Sequence, residues 1–301
     1  MRMSDSTAVA APVLFVLLWS TGFIGAKYGL PYAEPMTFLS LRMAVVVLLH
    51  IVLVFATGAR WPNGRETAHS IVTGSLVHGL YLGGVFVAIS QGVPAGISAL
   101  IPGLQPILTA TIANRWLGEK VSGLQWIGLA LGLAGVALVL HDHAITGPGS
   151  WLGWGGSFVS LIGITLGTLY QKRFGGGIDW RTGNLVQYVT AGTLFTLAAL
   201  VFETYTVRWS GEFVFAVVYL AVVLSIGAVA LMYWLIRRSA ATGFSSLFYL
   251  VPAVTALFAY VLFGERLDHL SIVGILVCAA GVVVVSRGAP ANAAAREVST
   301  T

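Results

Sequence analysis

The sequence predicts an all-α integral membrane bundle of ten transmembrane helices, built from two inverted five-helix repeats with both termini cytoplasmic. Three observations predict it. The 301 residues are 57% hydrophobic and 9% charged, with a mean hydropathy of +0.89, whereas soluble domains are about a quarter charged. The chain also repeats itself. Residues 95–140 reappear without a gap 146 positions later, placing Pro106 on Pro252, Thr109 on Thr255, Gly118-Glu119-Lys120 on Gly264-Glu265-Arg266, Gly128 on Gly274 and Gly135 on Gly281. Finally, Lys and Arg are concentrated in every second connector.

Windows of about 19 residues give spans near 10–30, 35–57, 67–90, 94–114, 122–140, 149–171, 182–202, 213–236, 241–263 and 269–287. The apolar run of the first is too long for a signal-peptide core and lacks a cleavage site, so it reads as a helix. The second carries Arg42 within an apolar stretch. In the middle of the third, His78 and Tyr81 interrupt a run of Leu, Val and Gly. The fourth and ninth are repeated spans with mid-span prolines, Pro106 and Pro252. The fifth and tenth repeat a glycine pattern, and the tenth holds the lone Cys278, which excludes an internal disulfide. The connectors are too short for a soluble domain. Continuous rather than alternating apolar runs exclude an outer-membrane barrel. The expected division is a first repeat over 1–147, a second over 148–290 and a disordered tail over 291–301.

Counting basic residues sets the orientation. With a cytoplasmic N-terminus, 12 of the 16 Lys and Arg fall on the cytoplasmic side and three, Lys27, Arg208 and Arg266, on the other, with Arg42 inside a span. Each half has an odd number of spans, so the halves must be inverted. The net charge of +5 follows from this bias and implies no nucleic-acid partner.

Trp19-Ser20-Thr21-Gly22-Phe23 in the first span, Pro35-Met36-Thr37-Phe38-Leu39-Ser40-Leu41-Arg42 opening the second, Val93-Pro94-Ala95 before the fourth and the paired Gly-Glu-Lys/Arg elements together resemble the EamA-type drug/metabolite transporter superfamily. The resemblance runs from about Pro12 to Arg287. It implies a ten-helix inverted repeat that moves small metabolites, very often amino acids or related compounds, outward through a central cavity. The sequence has no N-x-S/T sequon, which fits a bacterial inner membrane. Gln187 stands opposite Arg42 in the second half, so any role for Arg42 is asymmetric.

Arg42 lies about two turns, roughly 10 Å, inside its span. A cation there snorkels, bonds backbone carbonyls, or anchors a substrate carboxylate bidentately. His78 and Tyr81, three apart, share a helix face. His78 reads as the mid-span group whose ordinary pKa lies near neutrality, hence the candidate for proton coupling. All 11 acids fall at span ends or in loops, so no carboxylate relay crosses the bilayer centre. Ser98, Gln105 and Thr109 share a face of the fourth span, as Ser245, Tyr249 and Pro252 do of the ninth. These faces are expected to meet at the midplane and border the substrate, with Pro106 and Pro252 kinking their helices. Trp19, Phe23 and Tyr170 would supply aromatic walls, against the alternative of interfacial or packing aromatics.

The expected function is transport of small metabolites by alternating access, with membrane lipids as surroundings and no cofactor. The competing reading is an intramembrane enzyme acting on lipid-linked substrates. That would need convergent catalytic groups, and the sequence has no G-x-S-x-G, H-E-x-x-H, paired mid-span aspartates or C-x-x-C. His141-Asp142-His143 has no third partner nearby and is not read as a metal site. The GxxxG runs at Gly79/Gly83, Gly128/Gly132 and Gly163/Gly167 indicate close helix approach, within the bundle or in a homo-oligomer.

Overall fold

The computed structural model describes residues 5–93, 95–139, 150–263 and 269–288. The predicted tail, the His141-Asp142-His143 tripeptide and the second Gly-Glu-Arg element lie outside the described residues. Helices run in the order α1 (Asp5–Gly29), α2 (Pro35–Thr57), α3 (Gly64–Ser90), then α4, made of Ala95–Leu100, a 3₁₀ turn Pro102–Leu104 and Gln105–Trp116. The order continues with α5 (Gly123–Val139), α6 (Trp151–Phe174), α7 (Trp180–Phe202) and α8 (Gly211–Arg238). Next comes α9, made of Ala241–Ser246, a 3₁₀ turn Leu247–Tyr249 and Leu250–Phe263, and finally α10 (His269–Arg287). Among the described residues, the nearest thing to a strand is an isolated bridge between Ala33 and Val207.

Seven of these helices, α1, α2, α3, α6, α7, α8 and α9, are long and apolar enough to cross a bilayer. Stretches within α5 and α10 are apolar but shorter, and α4 is broken. Their outer faces are hydrocarbon: Leu48, Val52, Phe55, Leu200, Val261 and Leu276 are all more than 60% exposed. So broad an apolar surface is tolerable only against lipid tails or a partner.

Local sequence explains where helices start and break. Asn63 and Glu66 form a reciprocal capping box at the start of α3, and Ser150, Asp179 and Ser210 cap α6, α7 and α8. The break in α4 precedes Pro106, which occupies the first turn of the following helical piece. Proline is harmless there, because first-turn N–H groups have no intrahelical partner. In α9 the 3₁₀ turn likewise ends just before the piece that holds Pro252. The two breaks touch: a Cβ on Gly103 would lie 3.3 Å from Pro252 Cγ.

Two features bear on the repeat. Both α3 and α8 contain a nine-residue π-helical segment, Gly74–Leu82 and Leu220–Ala228, and these bounds differ by the same 146 positions. A π segment widens a helix and is found mostly at functional sites. Helices α5 and α10 also make reciprocal glycine contacts. A Cβ on Gly128 would fall 2.8 Å from the Gly281 carbonyl oxygen, and one on Gly135 would fall 2.7 Å from that of Gly274. The other GxxxG glycines pack inside the bundle too, Gly163 on Tyr81 and Gly167 on Val77 from α3, and Gly83 on Phe195 of α7.

The connectors sort to two ends. At one, Arg60 donates to the Gly177 carbonyl, Arg237 to those of Gly175 and Ile178, and Lys172 to that of Ser239. At the other, Glu203 accepts from the Met36 and Thr37 backbone, and Glu34 from Thr204.

Candidate functional site

The buried aromatics of α1 and the polar residues of α2 and α3 converge on one cavity, whose walls include Trp19, Phe23, Arg42, His78, Tyr81 and Leu224. Its volume is ≈ 30 Å³, room for no more than a few waters. A bound metabolite therefore requires the surrounding helices to part.

Arg42 is 4% exposed. Its Nε and Nη2 donate to the hydroxyl of Ser225, at 3.2 and 2.9 Å, and among the described residues it forms no ion pair. Ser225 sits in the π segment of α8, where its hydroxyl also donates to the Leu220 carbonyl at 3.1 Å. Its own carbonyl accepts from the Tyr188 hydroxyl of α7. A guanidinium carries five N–H donors, and one serine oxygen is a weak counterpart for a charge held out of water. The arrangement offers a cavity-wall cation that a carboxylate would complete.

The rest of the wall is aromatic and neutral-polar. Trp19 stacks on Tyr81 at 5.9 Å and 16°, and its indole N–H donates to the Tyr81 hydroxyl at 2.9 Å. His78 is buried in the π segment of α3, its ring centre 4.6 Å from that of Tyr188, and its Nε2 has no hydrogen-bond partner. His50 lies 5.0 Å from Tyr188, with Nδ1 on the Val46 carbonyl and Nε2 unpartnered. His78 thus lies on the cavity wall, and a second buried histidine, His50, packs against the same tyrosine, Tyr188. Gln187, the counterpart of Arg42, accepts from the Tyr233 hydroxyl at 2.5 Å.

Five of the sequence-predicted residues, Trp19, Phe23, Arg42, His78 and Tyr81, thus come together at this cavity. The others lie apart from its walls. Gln105 donates to the Thr168 hydroxyl at 3.0 Å, and Ser245 to the Thr242 carbonyl at 3.1 Å. Ser98 is buried without a partner, and the Tyr249 ring lies against Gly132 of α5 with its hydroxyl unpartnered. Tyr170 sits at the end of α6, 2.8 Å from His69 Nδ1 and in ring contact with Trp116 and Phe174. Sequence reasoning passed over Ser225, Tyr188 and His50. A mid-span histidine is visible in the sequence as an isolated polar residue, but nothing local marks Ser225 as the partner of a residue 183 positions away. Among the described residues no three His, Cys, Asp or Glu side chains gather to hold a metal.

Comparison with known proteins agrees with this architecture. A solved crystal structure superposes with a TM-score of 0.76 over 99% of this chain and 100% of its own, at 20% identity, which establishes the fold. The chain is 26% identical to the uncharacterized inner membrane transporter YedA of Escherichia coli (strain K12) over 275 residues, 90% of this chain and 88% of that one. It is 29% identical to a probable terminal-alkyne amino-acid exporter of Streptantibioticus cattleyicolor over 299 residues, 95% of each. The profile of the EamA-like transporter family matches twice, at residues 6–141 and 150–287. Covering nearly the whole sequence, the two matches place this chain in the EamA-like transporter family, within the drug/metabolite transporter superfamily.

Proposed function

We propose that the protein exports amino acids or closely related carboxylates across the inner membrane by alternating access between its two halves, with Arg42 as the carboxylate anchor. Membership of a transporter family makes it a multi-pass inner-membrane transporter rather than an enzyme. The observation that carries the finer reading is Arg42 itself. It is a buried cation on the cavity wall whose hydrogen bonds go to one neutral hydroxyl. The Trp19–Tyr81 stack beside it suits a substrate with an apolar or aromatic side chain. Kinship with a probable amino-acid exporter supports the same class.

The topology proposed is ten spans, with α4, α5 and α10 completing the seven long ones and both termini cytoplasmic. The two family matches, the equivalent π segments and the asymmetry of Lys and Arg support inverted halves divided near residue 147. The smallness of the cavity fits a conformation in which the helices have closed over it.

The test is uptake of radiolabelled amino acids and simple carboxylates into proteoliposomes. Arg42→Ala should abolish saturable flux while leaving the protein folded, and Arg42→Lys should restore part of it, since a point charge lacks the bidentate fork. Wild-type flux that survives Arg42→Ala unchanged would overturn the anchor.

A further inference from the structure

At the basic end of the bundle, Glu66 pairs with Arg60, Glu119 with Lys172 and Asp179 with Arg181. Arg65, Arg115 and Arg173 are exposed there, and among the described residues none of the three pairs with a carboxylate. They stand at the ends of adjoining helices. Tyr170 of α6 bonds His69 of α3, one turn on from Arg65, and Arg173 of α6 donates to the carbonyl of Trp116 of α4, next to Arg115. Three cations on neighbouring helix ends, without a counter-charge from the protein, attract an anion.

Arg173 is ordered before any anion arrives. Its guanidinium carbon lies 5.5 Å from the ring centres of both Trp116 and Phe174, within the range at which an aromatic face attracts a cation. The rings are themselves held: Trp116 lies 6.3 Å from Tyr170 and from Phe174, and His69 stacks on Phe174 at 4.6 Å and 7°. A long surface side chain gives up rotamer freedom when it binds a ligand, and this one has given up much of it already. The Trp116 carbonyl takes an N–H from one Nη of the guanidinium, and the rest of the fork is left for phosphate oxygens.

The surface below the charges separates a lipid from a soluble anion. Two turns inward from each cation, on nearly the same helix face, stands an exposed apolar side chain: Val72 from Arg65, Leu108 from Arg115 and Leu166 from Arg173. Two turns of helix span about 10 Å, the step from headgroup depth into the hydrocarbon. Trp116 and Tyr170 lie near the cations, at the level where amphipathic rings sit in a membrane interface. We infer that this face of α3, α6 and α4 binds an anionic phospholipid, its phosphodiester on Arg173 between Arg65 and Arg115 and its acyl chains over Leu166, Leu108 and Val72. A zwitterionic lipid brings its own ammonium to the phosphate and gains less from three cations. The site lies outside the cavity and does not rest on what Arg42 binds.

The experiment is native mass spectrometry of the full-length protein, incubated in detergent with one of three probes. These are dioleoyl phosphatidylglycerol, dioleoyl phosphatidylethanolamine, and glycerophosphoglycerol, which is the anionic headgroup without its chains. Wild type should retain phosphatidylglycerol at concentrations where it retains neither of the others. Arg173→Gln and Arg115→Gln should each weaken that retention about fivefold. Arg173→Lys keeps the charge but loses the planar fork, and should fall between Arg173→Gln and wild type. Arg287→Gln removes the same charge from the end of α10, which packs on α5 and α9, and should leave retention unchanged. Size exclusion shows which variants are folded, and if Arg173→Gln is not, Arg115→Gln against Arg287→Gln makes the same comparison. Equal retention of the two lipids, or equal losses in the site variants and Arg287→Gln, overturns the site. Glycerophosphoglycerol held as tightly as phosphatidylglycerol overturns the lipid in favour of a soluble anion.

Discussion

Both carboxylate oxygens of Glu119 accept the backbone N–H of Ala241, at 3.0 and 2.9 Å, so the connector after α4 grips the start of α9. Ala241 is the equivalent of Ala95, 146 positions on, where α4 starts. The carboxylate lies at a helix N-terminus, where orphan N–H groups and the helix dipole both favour an anion. Lys172, 3.8 Å from Glu119, holds the end of α8 by donating to the Ile236 and Ser239 carbonyls.

Glu119→Ala removes that acceptor and should destabilise the protein by about 1–3 kcal/mol. Glu119→Gln keeps an oxygen at the position and should lose less. Thermal unfolding followed in detergent would rank the two, and equal melting temperatures for both variants and wild type would show that the grip contributes nothing.

The seam between α5 and α10 should tolerate no side chain. A Cβ on Gly128 would sit 2.7 Å from the Val285 nitrogen and 2.8 Å from the Gly281 oxygen, and these are backbone atoms that cannot swing aside. Gly128→Ala should cost about 1–3 kcal/mol or more through overpacking. Gly155→Ala meets nothing within 4 Å and should be neutral or mildly stabilising. Fluorescence-detected size exclusion after heating measures the contrast directly.

Ser225→Ala takes away the one hydroxyl on which Arg42 Nε and Nη2 rest. The guanidinium should then lose its preferred orientation, and substrate affinity should weaken by about five- to tenfold, corresponding to about 1–1.5 kcal/mol. Transport kinetics should register this in KM more than in maximal rate. An unchanged KM would mean that Arg42 is oriented by other contacts.

At the connector before α7, hydrogen bonds from Arg181, through its guanidinium and its backbone N–H, hold the Asp179 carboxyl below its ordinary pKa. A depressed carboxyl contributes stability above its unfolded pKa, and that stability is lost as pH falls through the folded value. Asp179→Asn should therefore lower the melting temperature at neutral pH, and the difference from wild type should vanish in strong acid. A difference that persists unchanged in acid would place the effect in helix capping rather than in charge.

Sequence reasoning located Arg42 and the α5 and α10 glycines because each breaks a local pattern. A cation interrupts an apolar run, and glycines recur in matched register. The two π segments are not legible in this way, since Gly74–Leu82 and Leu220–Ala228 share no residue type that would force the wider turn. Their matched position appears only in the backbone. Tyr170 and Tyr249 show the other limit. A helix face says which residues lie together, but the neighbour that covers it is chosen by tertiary packing. For Tyr249 that neighbour is Gly132, for Tyr170 the His69 and Trp116 cluster. The Ser225–Arg42 and His50–Tyr188 pairs are likewise products of assembly between helices distant in sequence.

The glycine seam has a consequence for how such a chain can be built. Gly128 meets Gly281, the counterpart of Gly135, while Gly135 meets Gly274, the counterpart of Gly128. A surface that fits its own copy turned end over end needs only one sequence to specify both sides. Two separate five-helix chains bearing this face could dock as a dimer through the same contact, and the connector between the halves sets their local concentration rather than their fit.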